Sequence, residues 1–170
     1  MPPGKYKVLF VCTGNSARSI FAESILREAA GERFEVHSAG TRPYCEPNPC
    51  ALEVLRQNGH DTSALRAEDI SHYQGPDAPV LDFVFTLCDR AANGECPPWD
   101  GQPVTAHWGV PDPVRAEGTE AERTLAFREA YLALDGRITA FAALPIGALD
   151  RIGLQNAVDH LAREAGEAPA

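Results

Sequence analysis

No apolar run in the 170 residues approaches the length needed to cross a membrane. The opening Met1-Pro2-Pro3-Gly4-Lys5 carries no signal-peptide pattern. Positive charge is scarce: 15 Lys and Arg stand against 24 Asp and Glu, a net charge of −9. That balance excludes nucleic acid and anionic membrane as natural partner surfaces. The 5 cysteines are an odd number without zinc-finger spacing, so neither a secreted disulfide framework nor a metal site is expected. Free thiols in a reducing cytoplasm fit that count better. Internal repeats, low-complexity tracts and domain linkers are missing as well. With 44% apolar and 23% charged residues, the chain reads as one globular domain, 1–170.

What the chain does have is concentrated between Val8 and Ser19. Val8-Leu9-Phe10-Val11 is short, wholly apolar and partly β-branched, as expected of a strand buried on both faces. It runs into Cys12-Thr13-Gly14-Asn15-Ser16-Ala17-Arg18-Ser19, and a helical pattern follows with Ile20, Phe21, Ile25 and Leu26 on its apolar face. Strand, tight loop and helix N-terminus make an oxyanion cradle, because free backbone N–H groups and the helix dipole converge on one point. Arg18 can fork onto two oxyanion oxygens. Cys12 lies in the same field, which favours its thiolate and makes it a nucleophile beneath a bound tetrahedral oxyanion. Asn15 and Ser16 are placed to brace the loop, and Ser19 to donate to Cys12.

Further on, strands and helices alternate. Phe34–Ser38 reads as a half-exposed strand in which His37 is solvated, and Pro49–Asn58 as a helix stopped by Gly59. A polar stretch over 61–74 holds a turn and a short helix. Val80–Leu87 reads as a central strand, and Pro103–Trp108 as an edge strand led by its proline. Thr119 with Glu122 three residues on is a capping box. It opens a helix whose apolar stripe is Phe127, Tyr131, Leu134, Ile138 and Phe141. Residues 149–165 make a short final helix with Ile152, Leu154, Val158 and Leu161 on its apolar face. This alternation implies an α/β fold with a parallel sheet covered by helices, its ligand beyond the carboxyl ends of the strands.

The loop Val11-Cys12-Thr13-Gly14-Asn15-Ser16-Ala17-Arg18-Ser19 resembles the Cys-x5-Arg loop of the low-molecular-weight protein tyrosine phosphatase superfamily, which includes arsenate reductases. Ser38-Ala39-Gly40-Thr41, Thr86-Leu87-Cys88-Asp89 and His107-Trp108-Gly109-Val110-Pro111-Asp112-Pro113 extend the resemblance. The last two stretches are similar to the reductase branch. It spans about 5–144, leaving 145–170 as a helical extension. It implies an open four-stranded sheet in the order 2-1-3-4. It also implies Asn15 and Ser38 as supports of the loop, Asp112 as the general acid and no organic cofactor. Alone, Asp112-Pro113 is a turn; opposite a thiolate, it is a proton donor for the departing oxygen. His107 and Trp108 shape that loop.

Cys12 and Cys88 both end strands. If those strands are neighbours, about 4.8 Å apart, the two cysteines approach the roughly 4.4–6.8 Å separation of Cα atoms in a disulfide. Cys96 follows Cys88 in a turn-rich loop, giving a relay of Cys12, Cys88 and Cys96. Seven residues separate the later two, one more than is usual in similar thioredoxin-coupled reductases, so a thioredoxin- or glutaredoxin-type donor is left open. Cys45 and Cys50 read as surface thiols. The expected function is reduction of arsenate to arsenite, with phosphate as a competing oxyanion. The alternatives are phosphate-monoester hydrolysis through a cysteinyl-phosphate, and an oxyanion-binding or redox-sensing module without turnover.

Overall fold

Val8 to Val11 have no solvent exposure, because partner strands flank them on both sides. In the computed structural model, which describes residues 5–87, 99 and 101–166, four strands are β1 (Tyr6–Cys12), β2 (Phe34–Gly40), β3 (Phe83–Thr86) and β4 (Val104–His107). All pair in parallel in the order β2-β1-β3-β4. The helices are α1 (Arg18–Ala30), α2 (Pro49–Gln57), α3 (Glu120–Ala142) and α4 (Arg151–Gly166). The sheet order is the one the family resemblance implies. No helix among the described residues is long and apolar enough to cross a membrane.

The register puts Phe10 beside Phe85 and Tyr6 beside Phe34. Side chains alternate across a strand, so these aromatics share one sheet face. Phe141 of α3 sits on that face, its ring centroid 5.3 Å from Phe34, 5.1 Å from Phe83 and 5.1 Å from Phe85. Trp108 stacks on Phe85 at 3.8 Å. On the opposite face Leu9, Val11 and Val84 are buried too. The α3 N-terminus is closed by the expected capping box: Thr119 accepts from the Glu122 amide, and the Glu122 carboxylate takes the Thr119 amide.

β4 is the sheet edge, and α4 covers it. Gln155 donates to the Thr105 carbonyl, and the Trp108 indole N–H donates to the Val158 carbonyl. The Thr105 carbonyl, which would otherwise template another strand, is thereby occupied.

Two boundaries differ from the sequence expectation. β3 begins at Phe83, not Val80: pairing with β1 starts at Val8 opposite Phe83, the Asp82 side chain takes the Lys7 amide, and Val80 is exposed. Ile152 is 73% exposed, while Val158 and Leu161 of the same helix are buried. Only the latter part of α4 turns its apolar side to the core.

Phe141→Ala removes the ring shared by Phe34, Phe83, Phe85 and Trp108. It is expected to cost about 3–5 kcal/mol, measured by denaturant unfolding. A loss under 1 kcal/mol contradicts this packing role.

Candidate active site

Cys12 ends β1, and β1 ends where its neighbours β2 and β3 end, so the loop after it emerges at the carboxyl edge of the sheet centre. This is the crevice position expected for ligands of parallel sheets. The loop turns at Asn15, whose φ of 47° is left-handed, a conformation asparagine tolerates better than most residues. No side chain caps α1 at Ala17, which leaves the first-turn N–H groups directed to the cradle.

A second segment runs along the loop. The amides of Thr41, Arg42, Tyr44 and Asn48 donate to the carbonyls of Cys12, Thr13, Gly14 and Ser16. The close approach needs a glycine at 40: a Cβ there would lie 2.5 Å from the Thr13 oxygen and 3.0 Å from the Asn15 nitrogen.

Behind the loop lies a chain of buried polar side chains. The Cys12 sulfur is 2.9 Å from Ser19 Oγ. Asn15 Nδ2 donates to Ser19 Oγ at 2.7 Å and to Ser38 Oγ at 2.9 Å. Asn15 Oδ1 accepts from the Glu68 amide at 2.6 Å. Ser38 donates to the Glu23 carboxylate, which also pairs with Arg27. With Ser38 giving its proton to Glu23, its lone pairs are open to Asn15. With Asn15 occupying Ser19 Oγ, the Ser19 proton is free to point at the Cys12 sulfur and stabilise a thiolate. Burial pushes the Glu23 carboxyl above its usual value, against the opposing Ser38 and Arg27 contacts. Burial and the neighbouring Glu68 likewise push the Tyr73 hydroxyl up, and that hydroxyl donates to Glu68.

On the open side, Cys12, Thr13, Gly14, Ser16, Ala17, Arg18 and Asp112 line one cavity of about 510 Å³. Arg18 is 8% exposed. Its Nη1 donates to the Val110 carbonyl at 3.2 Å and reaches the Leu87 carbonyl at 3.5 Å, and its Nη2 stands 3.4 Å from Asp112 Oδ2. The other Asp112 oxygen takes the Val114 amide at 3.0 Å. The structure therefore brings Cys12, Arg18 and Asp112 together, with Asn15, Ser19 and Ser38 beneath them.

Cys88 and Cys96 lie outside the described residues. Cys45 is exposed, but Cys50 is half-buried against the core, unlike a surface thiol. His37 is half-exposed and pairs with Glu35. Among the described residues, no three His, Cys, Asp or Glu side chains are grouped to hold a metal ion.

Sequence reasoning did not single out Glu23. The signal was its position four residues after Ser19, on the same helix face. Arg42, Tyr44 and Arg115, which complete the cavity rim, carry no local signal, because they reach it through the loops after β2 and after Asp112.

A Cys-x5-Arg cradle at the centre of a four-stranded parallel sheet, faced by an Asp, defines an oxyanion-handling thiol enzyme of the phosphatase type. Residues 7–151 match the family described as low molecular weight phosphotyrosine protein phosphatase, and the chain belongs to it. It is 36% identical to an arsenate reductase of Halalkalibacterium halodurans, over 81% of this chain and 96% of that one. It is 37% identical to an arsenate reductase of Bacillus licheniformis, again over 81% and 96%. A solved thioredoxin-dependent arsenate reductase of Corynebacterium glutamicum superposes with a TM-score of 0.62 at 25% identity. That match covers 84% of this chain and 62% of the other, so the chain spans less than two thirds of that relative.

Glu23 gives the site a pH signature. A carboxyl raised in the folded state binds more protons folded than unfolded between its ordinary value, 4.5, and its raised one. Stability should therefore fall as pH rises through that window and level off above it. Glu23→Gln is expected to flatten this part of the profile, read from urea unfolding between pH 4 and 8. An unchanged slope would mean that another group carries it.

Proposed function

We infer that this protein reduces arsenate to arsenite. The observation that carries the reading is its likeness to arsenate reductases over four-fifths of the chain, centred on a buried Cys12 beneath Arg18. Arsenate enters the cradle, and Arg18 exchanges Asp112 for the incoming oxyanion. The Cys12 thiolate attacks arsenic, and Asp112 gives its proton to the departing oxygen, which leaves as water. Cys88 then attacks the Cys12 sulfur. A Cys12–Cys88 disulfide forms, the S–As bond breaks, and its electron pair reduces As(V) to As(III), which departs as arsenite.

Two contacts support that step. Leu87, the residue before Cys88, donates its amide to Val11 at 2.8 Å and offers its carbonyl to Arg18. Cys96 next attacks Cys88 and passes the disulfide outward to a thioredoxin- or glutaredoxin-type donor. This thiol chemistry suits a reducing cytoplasm. Hydrolysis of phosphate monoesters is the second reading, favoured by a cavity wider than a bare oxyanion with Tyr44 at its lip.

The two readings share Cys12, Arg18 and Asp112, so the second thiol separates them. Cys88→Ser is expected to abolish arsenite production with a protein donor while leaving hydrolysis of a small aryl phosphate largely intact. Continued arsenite formation without low-molecular-weight thiols would refute the relay. If the unmutated protein makes no arsenite with any donor but cleaves aryl phosphate, it is a phosphatase.

Asp112→Asn should slow the first chemical step by about 10²–10⁴-fold in rapid-quench single turnovers. An unaltered rate would place the acid elsewhere.

A further inference from the structure

Arg137 is a buried cation that the reaction above does not use. It lies on α3 in the register of the core stripe, next to Ile138, and is 7% exposed. No acidic side chain pairs with it among the described residues, and its Nε and Nη1 have no hydrogen-bond partner. Its one hydrogen bond among the described residues runs from Nη2 to the Gly109 carbonyl at 3.5 Å. Burial alone pulls its pKa down, with no neighbouring anion to oppose the effect. An uncompensated buried guanidinium destabilises a fold, and an apolar residue of similar volume is usually better tolerated. Its placement, however, is specific.

Gly109 belongs to the extended segment leading to Asp112. That segment is pinned to the end of β3 by the Trp108 amide on the Thr86 carbonyl and the Val110 amide on the Leu87 carbonyl. Successive carbonyls of an extended chain point in opposite directions. The Gly109 carbonyl goes to Arg137, and the next one, of Val110, goes to Arg18. Two buried guanidinium groups thus grip adjacent peptides from opposite sides, two and three residues before Asp112. The α3 helix also packs on the short turn Pro113–Arg115 that Asp112 caps.

We propose that Arg137 is a positioning residue: it fixes the Gly109–Val110 peptides so that Asp112 faces Arg18 and the Cys12 cradle. The catalytic part of this proposal rests on Asp112 being the acid; the positional part does not. With the clamp gone, the segment keeps its Trp108 anchor on Thr86 but loosens from Gly109 onward, the Val110 amide included, which carries Asp112 away from the oxyanion. The cradle and the Leu87 carbonyl still hold the oxyanion and Arg18, so substrate affinity should change little.

The test uses Arg137→Met, which keeps the bulk, and Arg137→Lys, which keeps the charge and a donor. Arg137→Met should fold with a melting temperature no lower than that of the unmutated protein. Amide exchange should accelerate about tenfold at Val110 and Val114, whose N–H groups bind Leu87 and Asp112, and stay unchanged along β1 and α1. Formation of the Cys12 adduct in single turnovers with arsenate should fall about tenfold, while the half-saturating arsenate concentration moves less than twofold. Arg137→Lys should recover most of the rate. In an Asp112→Asn background, Arg137→Met should have no further effect, because it acts through Asp112. Unchanged exchange at Val110 and Val114 overturns the proposal, as does an equal rate loss with and without Asp112. If Asp112→Asn is itself without effect on the rate, the assignment of the acid fails, and the exchange result still decides whether Arg137 places this side chain.

Discussion

The side-chain amide of Asn15 ties the oxyanion loop to α1, to β2 and to the backbone at Glu68 at once. It is fully buried in a left-handed turn. It gives hydrogens to Ser19 on α1 and Ser38 on β2, and takes one from the backbone at Glu68. An aspartate could not donate, and a glutamine would be too long for the same turn. Because both ends of the amide are committed, its orientation is fixed, and Ser19, which accepts from it, is held 2.9 Å from the Cys12 sulfur. The nucleophile inherits its environment from a residue three positions away and a carboxylate one turn further along α1 than Ser19.

The second constraint is electrostatic. A chain with a net charge of −9 repels an approaching anionic substrate, though beyond a screening length of about 8–10 Å at ordinary salt that repulsion is largely lost. Binding therefore depends on local charge. Arg18 stands at the cavity floor, and Arg42 and Arg115 line its rim; among the described residues the one carboxylate facing them in the lining is Asp112. The low exposure of Arg18 keeps its field from being screened, and the carbonyls of Leu87 and Val110 fix its fork. An anion that displaces Asp112 from Arg18 meets a carboxyl group beside its own oxygens, which is the arrangement acid catalysis needs.

Much of this was legible in the chain. The β1 run, the Cys-x5-Arg spacing, the Thr119 capping box and the α3 stripe each lie within a few turns of one element, and each stands where its pattern put it. The strand expected to open at Val80 opens at Phe83, because its start is set by the register against β1. Ile152 has the spacing of a core residue but finds no surface to pack on. The Cys50 thiol is half-buried because α2 lies against α1 and α3, which no residue near it announces.

The sequence by itself determined the elements, the nucleophilic loop and the family, since those are carried by contiguous residues whose conformational preferences are local. Only the tertiary structure decided that Glu23 is a buried carboxylate tied to Ser38, that Tyr44 and Arg42 form a rim, and that Arg137 grips Gly109. The Glu23–Ser38 and Arg137–Gly109 contacts join residues 15 and 28 positions apart. Their existence depends on which strand lies beside which and on how each helix is rotated against the sheet, and packing settles both only once the whole core has formed.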